Sequence, residues 1–249
     1  MARECRRLLI GPQQLADTVL DGCLALSQEH SRYLVKVLRY GPGARFAVVD
    51  GAGHLWDAEL LDGRQARLLQ PLAQPRCSEP AARPELVLAA AVVKRDFDLV
   101  VRMAVELGID RVVPLLCERT AVHGQLRPER WHSIAAEAAE QCERLWLPVL
   151  EPPMPVAEAL QASATAQRLW ATTRQAELPL LQQQLRHGSP SQAVWLACGP
   201  EGGWSPKEEA NAVAQGWQAV QLGPTILRSS TACVSGAALM SSWRAALLA

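Results

Sequence analysis

Two glycine-rich segments near the end of the chain have the residue types that a ligand pocket requires. One is 199–203, Gly-Pro-Glu-Gly-Gly, and the other is 222–231, Leu-Gly-Pro-Thr-Ile-Leu-Arg-Ser-Ser-Thr. Each follows an apolar run, 193–198 or 217–222, and precedes a helix-like pattern. Glycine allows close ligand approach, and open α/β sheets bind ligands beyond the carboxyl ends of their strands. The pattern predicts a cofactor pocket built from backbone groups, with two ligand-free tight turns as the alternative.

Two side chains beside the first segment have a chemical and a structural interpretation. Cys198 has the position of a nucleophile, but it ends an apolar strand, where a small buried hydrophobe is expected. Trp204 follows the glycines and could stack on a base or an adenine ring. For both side chains the sequence favours packing in the core.

A basic helix face is predicted in the first third of the chain. Arg32, Lys36 and Arg39 lie three and four residues apart in a predicted helix, 30–39, and no acidic residue occurs from 30 to 45. Such a face suits a phosphate backbone, and a merely solvated face is the alternative.

A polar stripe is predicted on a second helix, 128–147. Glu137, Gln141 and Arg144 have helical spacing there, opposite an apolar side. The stripe lines a substrate cleft or a subunit contact, or it belongs to an ordinary amphipathic helix.

Composition limits the class of protein but not its partner. The 249 residues carry 25 basic and 25 acidic side chains, so net charge gives no information about nucleic acid. The seven cysteines and five histidines are scattered without Cys-x-x-Cys or His-x-x-x-His spacing, which predicts reduced thiols and no metal site. No phosphate-binding loop or nucleophile elbow occurs. The absence of a signal-type N-terminus or a membrane-length apolar run leads us to expect a soluble, cytoplasmic protein.

The elements that position these residues form two predicted domains. Residues 1–75 contain short alternating strands joined by a glycine-rich hairpin, 76–84 form a proline-rich linker, and 85–249 alternate strands with helices. That alternation predicts an α/β fold with a parallel sheet. Ser205-Pro206-Lys207-Glu208 has the spacing of a capping box and predicts a helix start. The strands are predicted at 45–50, 55–61, 65–70, 86–93, 112–116, 168–172, 193–198 and 217–222, with further helices at 96–107 and 231–248.

The two glycine-rich segments together resemble the ribosomal RNA small subunit methyltransferase E family, which belongs to the SPOUT superfamily. The matching runs are 196–205, LACGPEGGWS, and 222–232, LGPTILRSSTA. The resemblance covers nearly the whole chain. It continues at His30, Lys36–Arg39, Gly41–Gly43, Asp50-Gly51, Lys94, Glu106–Gly108, Pro114, Glu118-Arg119, Glu137–Arg144 and Pro148.

The resemblance implies a C-terminal trefoil knot, an N-terminal PUA-like β-barrel and a homodimer. It also implies S-adenosylmethionine as the methyl donor and N3 of a uridine in 16S rRNA, in the small ribosomal subunit, as the acceptor. A SPOUT enzyme that methylates the 2′-oxygen of a tRNA ribose and a non-catalytic RNA-binding assembly factor are the alternatives.

The chemistry of methyl transfer to a uridine N3, which must lose its proton, suggests roles for three residues of the matching segments. Arg228 would stabilise charge on the base, and Ser230 or Glu201 would assist deprotonation. The family usually has glutamate at position 230 and lysine at position 103, where this chain has Ser230 and Met103. The expected cofactor contacts are Leu196, Cys198, Gly199, Pro200, Glu201, Gly202, Gly203, Leu222, Gly223, Ile226, Leu227, Arg228 and Thr231. The expected RNA contacts are Arg32, Lys36, Arg39, Lys94, Arg119 and Arg144.

Overall fold

The structure, a computed structural model, describes residues 6–120, 126–162, 165–173, 175 and 177–248. It divides the chain into two compact units. The first unit is Met1–Ala81 together with Ala139–Leu147, and the second is Ala82–Ala138 together with Pro148–Ala249. The domain limits that we inferred from the sequence stay a prediction.

The first unit is built around one mixed sheet. Its elements are β1 (Arg7–Leu9), α1 (Pro12–Thr18), β2 (Val19–Leu20), β3 (Cys23–Ala25), α2 (Gln28–Arg32), β4 (Arg45–Val49), β5 (His54–Leu60), β6 (Gln65–Leu68) and β7 (Cys77–Ser78). The strand order is β1-β4-β5-β6-β3-β2, with β7 paired to β5. Only the β1–β4 pairing is parallel among the described strands of this sheet. The predicted hairpin of β4 and β5 is confirmed. Its turn is fixed by the buried Asp50 carboxylate, which accepts hydrogen bonds from the amides of Ala52 and His54.

The basic helix is shorter and less regular than the sequence predicts. The α-helix covers only Gln28–Arg32, and Tyr33–Val37 continues as a π-helical turn. Arg39 has a left-handed backbone, with φ of 56°, and lies outside the helix. A π turn holds more residues than an α turn, so α-helical spacing does not give the face of Lys36. Arg32, Lys36 and Arg39 are nonetheless all exposed.

The second unit is a parallel sheet covered by helices, as the alternation predicts. Its elements are β8 (Leu86–Ala91), α3 (Phe97–Glu106), β9 (Arg111–Leu116), α4 (Pro128–Gln141), β10 (Val149–Leu150), β11 (Met154–Pro155), α5 (Val156–Ala162), β12 (Gln167–Ala171), α6 (Leu181–Leu185), β13 (Val194–Cys198), α7 (Pro206–Ala214), β14 (Gln218–Val220) and α8 (Ser229–Leu248). The strand order is β10-β9-β8-β13-β12-β14, with β11 paired to β9. All described pairs of this sheet are parallel. Every residue of β8 is buried, as expected for a central parallel strand.

Helix α4 ends at Gln141, so the predicted helix 128–147 is too long. Glu143 has a left-handed backbone with φ of 64°, and the amide of Arg144 donates to the carbonyl of Ala139 at 3.0 Å. This six-residue closure is the Schellman arrangement that terminates helices. Glu137 and Gln141 therefore lie exposed on the last turns of the helix, while the half-buried Arg144 lies beyond its end.

Helix α8 packs directly on the sheet, and Arg244 anchors it near its C-terminal end. The helix contacts α3, α6, β8 and β13. The buried Arg244 guanidinium donates to the Asp110 carboxylate and to the carbonyls of Gly108 and Pro84. The order of the strands does not say whether one segment of the chain passes through a loop formed by another, so the trefoil knot stays a prediction. Within the described ranges, no helix combines the length and apolar character that a membrane crossing requires.

Candidate active site

Three strand ends meet where the glycine-rich segments begin. Ala171, the last residue of β12, lies opposite Cys198 of β13 on one side and Val220 of β14 on the other. The two loops that follow, the first loop (199–205) and the second loop (221–228), therefore flank the carboxyl end of β12. That is the edge at which an open parallel sheet binds its ligands.

The first loop is shaped by Trp204. Its indole nitrogen donates to the carbonyl of Ala171 at 2.9 Å, and the side chain is buried. A Cβ added to Gly199 would lie 2.9 Å from Cε2 of this ring, so only glycine fits under the indole. Gly203 has φ of 72° and its amide closes a turn onto the carbonyl of Pro200 at 2.9 Å. Trp204 is a core residue, as the sequence favours.

Cys198 is also a packing residue. Its side chain has no exposed surface. The hydrogen bond with Cys233 and the desolvation of the thiol raise its pKa well above the usual value. A thiol that stays protonated is a poor nucleophile.

The second loop is anchored at both of its ends. The Gln221 amide donates to the carbonyl of Pro179, and the Gln221 carbonyl accepts from the amide of Leu181, both at 3.0 Å. At the other end, the Ser229 hydroxyl donates to the carbonyl of Gly199 at 2.7 Å. The first turn of α8 is thereby joined to the first loop.

Space and apolar surface remain between these anchors. Nothing lies within 4 Å of a Cβ added to Gly203 or Gly223. Ile226 is 64% exposed although it is large and apolar, and Leu222 and Leu227 are half-buried. Open backbone beside exposed apolar side chains fits a ligand that has a flat ring and a polar tail, such as S-adenosylmethionine. No group of three or more His, Cys, Asp or Glu residues suited to a metal ion occurs in the described ranges.

The three residues expected in catalysis lie on these loops or next to them. Arg228 is exposed and immediately precedes α8, and Ser230 is half-buried in its first turn. Glu201 is exposed in the first loop and is the one carboxylate in the sequence of the two loops. The remaining expected cofactor contacts divide between buried positions and open loop positions. Leu196 and Pro200 are buried, Gly202 and Thr231 are exposed, and Gly199 is intermediate.

The basic residues expected to bind RNA occur in both units. Arg32, Lys36, Arg39 and Arg144 belong to the first unit, and Lys94 and Arg119 belong to the second. Lys94 follows β8 and Arg119 follows β9, so both lie at the same sheet edge as the two loops. Lys94 is exposed. Arg119 donates from Nη1 to the carbonyls of Gly202 at 3.2 Å and Trp204 at 3.0 Å.

Sequence reasoning missed two parts of this site. Ser229 was not singled out, although it lies between Arg228 and Ser230 in the quoted motif. The contact of Arg119 with the first loop joins positions that are more than eighty residues apart, and no local pattern signals it.

Both units match known protein families. A family model described as an RNA methyltransferase domain matches residues 80–241, and one described as an RNA methyltransferase PUA domain matches residues 26–68. The ribosomal RNA small subunit methyltransferase E of Synechocystis is 36% identical over 233 residues, which cover 91% of this chain and 74% of the relative. The enzyme of the same name from Mycobacterium tuberculosis is 30% identical over 242 residues, covering 89% of this chain and 84% of the relative.

A solved structure supports the same comparison. The ribosomal RNA small subunit methyltransferase E of Neisseria gonorrhoeae, crystallised with S-adenosylmethionine, superposes with a TM-score of 0.80 at 28% identity. The match covers 96% of this chain and 98% of that one. The likeness extends through both units.

Proposed function

The chain belongs to the ribosomal RNA small subunit methyltransferase E family, and from that premise we propose that it transfers a methyl group from S-adenosylmethionine to N3 of a uridine in 16S rRNA. The observation that carries the proposal is the pair of loops flanking the end of β12, tied together by the Ser229–Gly199 hydrogen bond. We propose that the enzyme acts in the cytoplasm, where it would meet such an rRNA substrate.

The loops would hold the cofactor mainly through backbone groups. The expected contacts are the backbone of 196–203 and of 221–227, together with Arg228 and Thr231. S-adenosylmethionine, when bound, supplies a methyl group on a sulfonium, so that the S–CH3 bond breaks as the N3–CH3 bond forms. Positioning of donor and acceptor accounts for much of the rate in such a displacement.

Exposed side chains would stabilise the negative charge on the base and accept its proton. Loss of the N3 proton builds negative charge on the flanking carbonyl oxygens of uracil. Arg228 is exposed at the edge of the site, and its guanidinium would stabilise that charge. Glu201 or Ser230 accepts the proton. Of the two, Glu201 is the stronger base, because an aliphatic hydroxyl requires a partner to activate it.

The basic surface of the first unit would contact rRNA phosphates. Arg32, Lys36 and Arg39 are exposed, and their neutralisation should reduce both affinity and its salt dependence. We expect the variant with glutamine at all three positions to bind small ribosomal subunits more weakly at low salt. Its affinity should also depend less steeply on the salt concentration. A control that neutralises three exposed cations of the second unit, Arg102, Arg186 and Lys207, keeps the wild-type slope. Equal affinity of the triple variant and wild type at low salt would exclude this surface.

A homodimer through α8 completes the proposal. The outer half of this helix carries the half-buried Trp243 and the exposed Leu247 and Leu248, which suits a protein interface. Sedimentation of the wild type as a monomer at micromolar concentration would contradict it.

The decisive experiment is methylation of small subunits that lack the modification, using labelled S-adenosylmethionine. We expect label on a uracil base, identified as N3-methyluridine by mass spectrometry, and strongly reduced turnover in Arg228→Ala at a saturating concentration of S-adenosylmethionine. Label on a ribose oxygen would support ribose 2′-O methylation, the chemistry of the SPOUT alternative, instead. Absence of both cofactor binding and methyl transfer would support the non-catalytic assembly factor. Normal turnover in Arg228→Ala would remove Arg228 from the mechanism.

A further inference from the structure

The turn that follows β9 is closed by two hydrogen bonds and lies beside the first loop. The amide of Cys117 donates to the Thr120 hydroxyl at 3.1 Å, and the amide of Thr120 donates back to the Cys117 carbonyl at 3.0 Å. Both residues are buried. Glu118 and Arg119 occupy the middle of this turn, between its two hydrogen-bonded ends.

The turn is joined to the first loop and the helix after it by two contacts. Arg119 Nη1 donates to the carbonyls of Gly202 and Trp204. The Glu118 amide donates at 2.8 Å to Oε1 of Glu208, whose other oxygen accepts from the amide of Ser205 to cap α7. The loop is therefore held at its middle by a guanidinium and at its end by a carboxylate.

The stem of Arg119 also packs on the loop. A Cβ added to Gly202 would lie 3.1 Å from Cβ and 3.6 Å from Cδ of Arg119. Glycine at this position thus allows the arginine to approach closely. Guanidinium nitrogens have several donors in one plane, which allows one group to bind two carbonyls of a curved segment.

We propose that Arg119 is a positioning residue that holds the first loop in its cofactor-binding shape, and that it is not a phosphate contact. The inference rests on the proposed function, because it takes this loop as part of the S-adenosylmethionine site. Arg119 acts through the carbonyls of Gly202 and Trp204 and touches neither substrate.

The test separates cofactor affinity from RNA affinity. Calorimetry of S-adenosylmethionine binding to the free full-length protein should show an affinity roughly tenfold lower in Arg119→Ala. Arg119→Lys keeps the charge without the planar donors, and should recover only part of the loss. RNA affinity and its salt slope should stay at the wild-type values. Arg95→Ala removes an exposed arginine at the same sheet edge and is the matched control, with unchanged cofactor affinity.

The opposite pattern would overturn the proposal. Unchanged cofactor affinity with a salt slope reduced by about one would identify Arg119 as a phosphate contact.

Hydrogen exchange of the amides from 201 to 204 is measured on the same variants, and we expect faster exchange in Arg119→Ala with unchanged exchange in β8. Unchanged exchange in the loop contradicts the positioning role even if the protein binds no cofactor. Absence of cofactor binding by the wild type contradicts the proposed function instead.

Discussion

Replacing Gly236 by alanine adds one methyl group where α8 packs on the sheet, and so tests how closely the two elements pack. It faces Leu196 of β13, a fully buried side chain of a central strand. A Cβ added at 236 would lie closer than 3.0 Å to Cδ2 of Leu196, 3.6 Å from its Cγ and 3.9 Å from Cδ2 of Leu222. Carbon atoms in favourable contact are about 3.5–4.0 Å apart, so Leu196 must leave its rotamer or the helix must move.

The expected cost is the overpacking penalty reduced by a gain in helix propensity. An extra methyl group in a packed core costs roughly 1–3 kcal/mol. Alanine favours the helix interior over glycine by roughly 0.5–1 kcal/mol. Leu196 has neighbouring strands on both sides, which limits relaxation and favours the upper half of the penalty. We therefore expect Gly236→Ala to lower the free energy of unfolding by about 1–2.5 kcal/mol.

Urea unfolding of the wild type and four variants measures this effect. Ser242→Ala, at an exposed position of α8, is the control for propensity alone and should be neutral or slightly stabilising. Leu196→Val removes the atom that overlaps, so the Gly236→Ala/Leu196→Val pair should cost less than the sum of the single changes. A stabilised Gly236→Ala, or strict additivity in the pair, would refute the close seating of α8 on β13.

Two further predictions concern ionisable groups, the buried Arg244 and the half-buried His30. Arg244→Met leaves the Asp110 carboxylate and two carbonyls without the guanidinium, and should cost about 3–5 kcal/mol. A change below about 1 kcal/mol by urea unfolding would contradict that role. Burial lowers the pKa of His30 below the usual 6.5, and the charge of Glu29 opposes this effect. Folding of the first unit therefore favours the neutral imidazole over the charged one. The free energy of unfolding should therefore not depend on His30 above pH 6.5, and it should decrease as the pH falls below that value. An equal pH dependence in His30→Asn would assign the effect to other groups.

The sequence by itself determined most of the local elements and the position of the two glycine-rich loops. The continuous apolar run at 86–93 is sufficient to predict a buried parallel strand, and β8 confirms it. Ser205 and Glu208 have the spacing of the capping box that begins α7. Glycines that follow apolar runs locate both loops. These signals are local, since each depends on residues within a few positions of one another.

Tertiary structure alone decided which of these pieces meet. The placement of β12 between β13 and β14 brings the two loops to one strand end, and strand order is not encoded in any single segment. The left-handed Glu143 ends α4 and is followed by residues that pack with the first unit. The bonds from Ser229 to Gly199 and from Arg119 to the first loop span 30 or more residues. Such contacts form only when the whole sheet has assembled, because the packing of distant segments, and not their local propensity, brings donor and acceptor together.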